Sequence, residues 1–424
     1  MAMKLLRNIS QKIEKDFGRK ETRVVVGPRQ VGKTTILRGI AKHCEAQKIP
    51  HVYFNLEVPG HAEHFARPMK AVLEDLTAKG QVVFIDEFHY LPNATKLFKA
   101  IFDEYPQVRV YASGSSAIEM HKHLKESLAG RRLLYRVFPL SFEEWLPSRS
   151  RVTLPDSLKT AVSGRTHQAL RGLLNDFVIF GGMPGLIHEK TADDRKRLLL
   201  DLVETYMQKD IKALLREEDI LSFNRLLSLL AAQEGGILSE MGLSQTLNYS
   251  LRQVRKDIAI LQQMFLLTVL KPFFNNRGRE LKQTNKTYYF DTGIRNAVLR
   301  DFRALDDRDD KGELLEAFVL TEIQKNLGVG QDIYYWRTRR KEEVDFILLQ
   351  DRKPIPIEVK SRLTDTTVPA GLKAFFQQYS TCRLAVVLNN DIFRQIDFNG
   401  RKVVFAPHYY ARLMPMLFSF GAGL

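Results

Sequence analysis

Cysteine is almost missing from this chain. Cys44 and Cys382 are the only two in 424 residues, too few for a disulfide scaffold or a thiolate metal cluster. No uninterrupted apolar run approaches the roughly 20 residues that span a bilayer, and residues 413–424 are short enough to read as a buried terminal segment. The N-terminus shows no basic stretch followed by an apolar one. The expectation is a cytoplasmic protein without a membrane anchor. With 44% hydrophobic and 27% charged residues, the composition excludes a disordered or fibrous chain. Acidic residues are the scarcer sign, 49 against 64 basic ones, a net charge of +15. That imbalance points to nucleic acid or another polyanion, although many basic proteins never touch DNA. The length exceeds what one hydrophobic core usually organises, so two to four domains are expected.

What is present begins with Gly27, Pro28, Arg29, Gln30, Val31, Gly32, Lys33 and Thr34, a full G-x-x-x-x-G-K-[ST] phosphate-binding loop. It lies between an apolar, strand-like run at 22–26 and a helical pattern at 34–44. The loop backbone is expected to cradle the phosphates of ATP, with Lys33 on the β and γ oxygens, Thr34 on magnesium, and Thr35 completing the nucleotide-binding set. Apolar runs recur at 23–26, 51–56, 82–85, 108–112 and 133–137 with helical material between them, which predicts an α/β domain with a parallel sheet.

The run at 82–85 ends in Asp86 and Glu87. Asp86 is expected to hold the magnesium shell and Glu87 to polarise the attacking water; the plain alternative is a solvated acidic turn. At the end of the fourth strand, Ser113 or Ser115 would place a hydroxyl near the γ-phosphate. Arg131 would supply charge to a nucleotide in the same or an adjacent subunit, with Arg132 a competitor and a solvated basic pair the alternative.

Farther on, residues 147–165 read as a boundary or exposed connection, and 195–215 as an amphipathic helix. Residues 222–274 give a leucine-rich helix, a short helix near Leu238, a turn at 248–250, a helix over 251–263 and a β-like 266–270. That order predicts a winged helix-turn-helix, with Ser250 capping its third helix. Arg252, Arg255 and Lys256 would face DNA, and Arg277, Arg279, Lys282 and Lys286 would extend a basic surface, unless the module is a protein interface.

In the last third, a helix over 314–324 carries Glu316, and strand-like segments carry Asp345, Glu358 and Lys360. Strand side chains repeat every two residues, so Glu358 and Lys360 share a face. Glu316, Asp345 and Glu358 are expected to bind Mg2+ or Mn2+, with Lys360 activating water; ordinary edge charges are the alternative. His408 has no matching cluster of ligands and reads as structural or solvent exposed.

The phosphate loop, the segments at 84–89, 112–117, 127–131 and 138–145, and farther on Gly181-Gly-Met-Pro-Gly185, Asp210-Ile211 and Phe290-Asp-Thr-Gly293 together resemble prokaryotic AAA-type ATPases whose C-terminal half is a domain of unknown function. The resemblance covers nearly the whole chain. It implies ATP binding and hydrolysis, and a homo-oligomer whose neighbouring subunit completes the nucleotide site. The last third resembles the PD-(D/E)xK nuclease fold through Glu316, Asp345, Glu358 and Lys360, without the proline before Asp345. The expected organisation is therefore an AAA-type P-loop ATPase domain over 1–150, a linker and helical segment over 151–220, a winged-helix region over 221–300 and a restriction-endonuclease-like α/β domain over 301–424. The leading function is ATP hydrolysis coupled to DNA engagement, with metal-dependent cleavage; the alternative is an ATP-dependent protein-interaction switch with a silent nuclease-like domain.

Overall fold

The computed structural model describes residues 7–79, 81–91, 93–114, 128–206, 217–274 and 284–418. Ser115, Asp210, Ile211, Arg277, Arg279 and Lys282 lie outside them. The chain forms two compact units, one of residues up to 140 with 259–266, the other of 141–258 with 267–424.

The first unit is built on β1 (Thr22–Val26), β2 (His51–Asn55), β3 (Val82–Asp86), β4 (Arg109–Gly114) and β5 (Arg132–Arg136). All pairings are parallel, in the order β2-β3-β4-β1-β5. The expected strands are thus present to within two residues at their ends. Alternation puts Val24, Val26, Val83, Ile85, Val110 and Ala112 into one apolar cluster, closed by Leu73 and Leu76 of the helix Met69–Lys79 and by Leu97, Phe98 and Ile101 of the helix Ala94–Glu104. The helix Lys33–Ala46 follows β1 and buries Ile36, Leu37, Ile40 and Cys44.

The second unit opens with the short helix Phe142–Trp145, fixed by a capping box between Ser141 and Glu144. Phe142 packs against Trp145, Phe177 and Phe318, and its N–H donates to both oxygens of buried Glu322. The segment 147–165 is largely exposed, with Leu158 its one buried residue, and is tied down at points: Arg149 donates to the carbonyls of Leu186 and Glu189, Tyr410 to that of Thr160, and Arg412 to that of Pro155. Its Pro and Ser content marks irregular backbone, which side chains elsewhere in this unit nevertheless hold in place.

The helices Gly164–Phe180 and Thr292–Leu299 are clasped by the motifs at 181–185 and 290–293. Asp291 caps its own helix at the Ile294 N–H, 3.1 Å away, and accepts the Gly182 N–H at 2.8 Å. Gly181 has φ +73°, and a Cβ there would overlap the Asp291 carboxylate; a Cβ on Gly293 would overlap the Phe180 carbonyl.

The helices Glu217–Ala232, Glu240–Leu247 and Leu251–Gln263 precede an antiparallel pair, β6 (Leu267–Leu270) and β7 (Lys286–Tyr289). Ser250 accepts the Gln253 N–H at 3.1 Å, as expected of the cap. A six-stranded mixed sheet follows: β8 (Gln331–Arg337), β9 (Glu343–Gln350), β10 (Lys353–Val359), β11 (Leu384–Asn389), β12 (Arg394–Phe398) and β13 (Arg401–Pro407), in the order β12-β13-β11-β10-β9-β8. Backbone bonds between Lys271 to Phe273 and Tyr335 knit the small sheet to β8. Cys382 lies in the sheet's apolar core with Trp336, Phe375 and Phe405. The terminal segment is buried at Leu413, Met414 and Leu417.

Candidate functional site

The phosphate loop leaves the carboxyl end of β1, where parallel sheets bind ligands. Gly27 is required there, because a Cβ would overlap the Val137 carbonyl. Gln30 (φ 60°) and Gly32 (φ 93°) take left-handed backbone before the helix Lys33–Ala46 begins. Lys33 is buried, and its Nζ donates to the carbonyls of Gly27 at 3.0 Å and Pro28 at 2.7 Å. These two bonds tie the lysine to its own loop.

Asp86 ends β3 and Ser113 lies near the end of β4, the strand between β3 and β1. Ser113 Oγ donates to Asp86 Oδ1, and Tyr53 of β2 donates to Oδ2 at 2.9 Å. Asp86 is 1% exposed. Each of its oxygens retains a lone pair for a magnesium-bound water, so Asp86 fits a magnesium shell. Burial and then the Asp86 charge push the Tyr53 phenol above its usual range, which keeps it a donor. Glu87 takes left-handed backbone (φ 57°), and His89 Nδ1 lies 3.1 Å from its Oε2.

Arg131 lies away from the phosphate loop of its own chain. It precedes β5, at the amino edge of the sheet, its N–H bonded to Leu128 and its carbonyl to Thr22 at the start of β1. Its guanidinium pairs with Asp103 at 2.9 Å. The phosphate loop lies at the opposite end of the strands, so Arg131 does not reach the nucleotide of its own subunit. Arg7, by contrast, was not singled out from the sequence: its guanidinium donates to the Val31 carbonyl at 2.9 Å and the Phe138 carbonyl at 2.6 Å, bracing the loop.

In the second unit, β9 and β10 run antiparallel, pairing Ile357 with Phe346. The same register puts Asp345 opposite Glu358, and Asp345 Oδ2 accepts the Val359 N–H at 2.7 Å. Lys360 Nζ lies 2.6 Å from Glu358 Oε1, on the shared face expected. Glu316 reaches the same cluster from the helix Lys311–Asn326, but it accepts from Lys286 at 3.1 Å and from Tyr288. Lys286 also pairs with Glu343 at 2.5 Å. Burial, followed by the charges of Glu316 and Glu358, raises the Asp345 carboxyl well above its usual range.

Two expectations change here. Lys286 is 3% exposed and so contributes nothing to a basic surface. Among the described residues, no group of three or more Asp, Glu, His or Cys side chains is arranged to hold a metal ion. The acids converge as anticipated, but protein donors hold one oxygen each of Glu316, Asp345 and Glu358 and both of Glu343. Lys286 and Tyr288, two apart on β7, share a face, but the pairing of that face with Glu316 has no local sequence signal.

Residues 19–146 match the family model of an AAA domain, followed by two domains of unknown function, DUF8612 over 171–307 and DUF4143 over 311–409. The N-terminal region is an AAA domain. Similar chains include an uncharacterized protein of Mycobacterium tuberculosis, 24% identical over 90% of this chain and 79% of its own length. Another, from Methanocaldococcus jannaschii, is 24% identical over 93% and 88%, and one from Haemophilus influenzae is 22% identical over 90% and 92%. Among solved structures, the replication initiator DnaA bound to AMPPCP and single-stranded DNA overlaps 61% of this chain and 90% of its own at 10% identity and a TM-score of 0.27. Pif1 helicase from Candida albicans overlaps 39% and 47% at 11% identity and the same TM-score. Overlap at that level assigns no activity to this chain. The AAA domain holds the phosphate loop, Asp86, Glu87 and Ser113; Glu316, Glu343, Asp345 and Glu358 all fall within DUF4143, and Lys286 and Tyr288, which reach Glu316, fall within DUF8612. Among the described residues, no helix is long and apolar enough to cross a membrane.

Proposed function

We propose that the AAA domain hydrolyses ATP and that nucleotide state governs how the second unit engages DNA. The observation that carries the first half is the convergence of Lys33, Asp86 and Ser113 at the carboxyl ends of β1, β3 and β4. Lys33 would exchange its two loop carbonyls for β and γ oxygens, while Thr34 and Asp86 orient the magnesium shell. A magnesium ion held there would supply neutralisation of the charge on the β and γ phosphates. Glu87 would take the proton of the attacking water, and Ser113 would hold Asp86 in place.

The DNA half is supported by the net charge of +15 and by three helices followed by a two-stranded sheet, the element order of a winged helix. Arg252 and Lys256 are exposed on the helix Leu251–Gln263, while Arg255 is paired with Glu240 at 2.7 Å. A homo-oligomer in the cytoplasm, with Arg131 acting on an adjacent subunit, is part of this reading. The closed carboxylate cluster favours the second reading for the nuclease-like region: it binds DNA or a protein partner without cutting, and no cleavage step is assigned to it.

The test is ATP hydrolysis by wild type and Lys33→Ala in magnesium, with and without single-stranded, duplex and branched DNA. The expected result is turnover that DNA stimulates and the substitution abolishes. Turnover indifferent to every DNA would leave an ATPase and overturn the coupling.

A further inference from the structure

The cluster at Asp345 has two possible sources of positive charge, a divalent cation from solution or an ammonium from the chain. Four carboxylates face it, Glu316, Glu343, Asp345 and Glu358, on one helix and two strands. Left without a cation, such a group would not stay ionised inside the protein. Lys286 supplies one from β7: its Nζ lies 3.1 Å from Glu316 Oε1 and 2.5 Å from Glu343 Oε1. Tyr288, on the same face of β7, donates to the same Glu316 oxygen. Arg337 takes the other oxygen of Glu343 at 3.2 Å, Lys360 takes Glu358 Oε1, and the Val359 N–H takes Asp345 Oδ2. Glu358 Oε2 remains buried without a hydrogen-bond partner.

The approach of β7 is built into the backbone. Gly235 has φ +70°, and a Cβ there would come within 3.2 Å of the Tyr288 ring and 3.6 Å of Glu316 Oε1. Its N–H bonds to the Thr287 carbonyl, between the two side chains concerned. A hexacoordinate Mg2+ or Mn2+ needs open carboxylate oxygens at about 2.0–2.2 Å with waters completing the shell. The Lys286 ammonium already holds one oxygen of Glu316 and one of Glu343, so a cation drawing on those oxygens has to displace it.

We propose that Lys286 is the resident cation of this cluster and keeps divalent metal out of it, so that the carboxylates become a metal site only when Lys286 is removed. The idea deepens the reading of the nuclease-like region as non-cutting. Its readout, metal binding without nucleotide, is independent of ATP turnover and of DNA affinity, so either can fail without the other.

The experiment is Mn2+ titration of the nucleotide-free full chain, followed by electron paramagnetic resonance, for wild type, Asp345→Asn, Lys286→Met, Lys286→Gln and Lys286→Met/Asp345→Asn. Wild type is expected to show no stoichiometric site below about 1 mM, a weak limit for carboxylate-held divalent cations. Lys286→Met or Lys286→Gln, whichever is folded by circular dichroism, is expected to gain one site at least tenfold tighter. The added Asp345→Asn change should remove it. A wild-type Mn2+ site lost in Asp345→Asn would overturn the proposal, as would a folded Lys286 variant that gains no site.

Discussion

Tyr53 is the residue whose contribution is easiest to isolate. Its hydroxyl holds Asp86 Oδ2 at 2.9 Å while Ser113 holds Oδ1, so the carboxylate that would orient the magnesium shell is fixed from both sides. Tyr53→Phe keeps the ring stacked on Phe84 and removes one hydrogen bond, worth about 1 kcal/mol. The expected outcome is a kcat for ATP lowered about fivefold, with nucleotide affinity unchanged within twofold. Steady-state turnover beside fluorescent-nucleotide binding checks it; equal losses in both would make Tyr53 a folding residue instead.

Among the elements, the clasp between the helices Gly164–Phe180 and Thr292–Leu299 makes the sharpest demand on sequence. Gly293→Ala would drive a methyl into the Phe180 carbonyl, and overpacking at such a backbone contact costs about 3 kcal/mol. A clear fall in the urea midpoint is expected; an unchanged midpoint would show that the helices separate without penalty. The same scale explains what the sequence disclosed. Contiguous signals were readable: the phosphate loop, the runs that became β1 to β5, the Ser250 cap, and Glu358 with Lys360 two apart on one strand. Lys286 was not, because its partners Glu316 and Glu343 are 30 and more positions away and only tertiary packing brings β7 to them. Read locally, it was one more lysine in a basic stretch. Arg7 escaped for the same reason, since its acceptors are carbonyls that carry no residue code.

At the scale of the molecule, buried titratable groups in the second unit set opposite pH limits on stability. Burial first, against the charge of Arg295, pushes the Glu234 carboxyl up to about 8 from an ordinary value of 4.5. Its contribution is therefore full below about 4.5 and is lost as pH rises through 8. Burial brings His408 down to about 3 from 6.5, so its contribution is present above about 6.5 and is lost as pH falls toward 3. The two slopes, each at most about 1.4 kcal/mol per pH unit, oppose one another between about 4.5 and 6.5, where the raised carboxyls of Asp291, Glu322, Asp345 and Glu358 act in the same direction as Glu234. Melting temperature against pH should fall on both sides, with Glu234→Gln flattening the alkaline limb and His408→Gln the acid one. A wild-type profile with no alkaline decline between 6.5 and 8 would contradict the Glu234 assignment.

Both native thiols are deeply placed, Cys44 at 0% and Cys382 at 3% exposure, and burial raises each above the usual thiol range, Cys382 up to about 11. Because the thiolate is the nucleophile, neither competes for maleimide at neutral pH. A cysteine introduced at one exposed position in each unit would then take a fluorophore selectively on the otherwise unaltered chain, turning the question of whether ATP moves one unit against the other into an energy-transfer measurement.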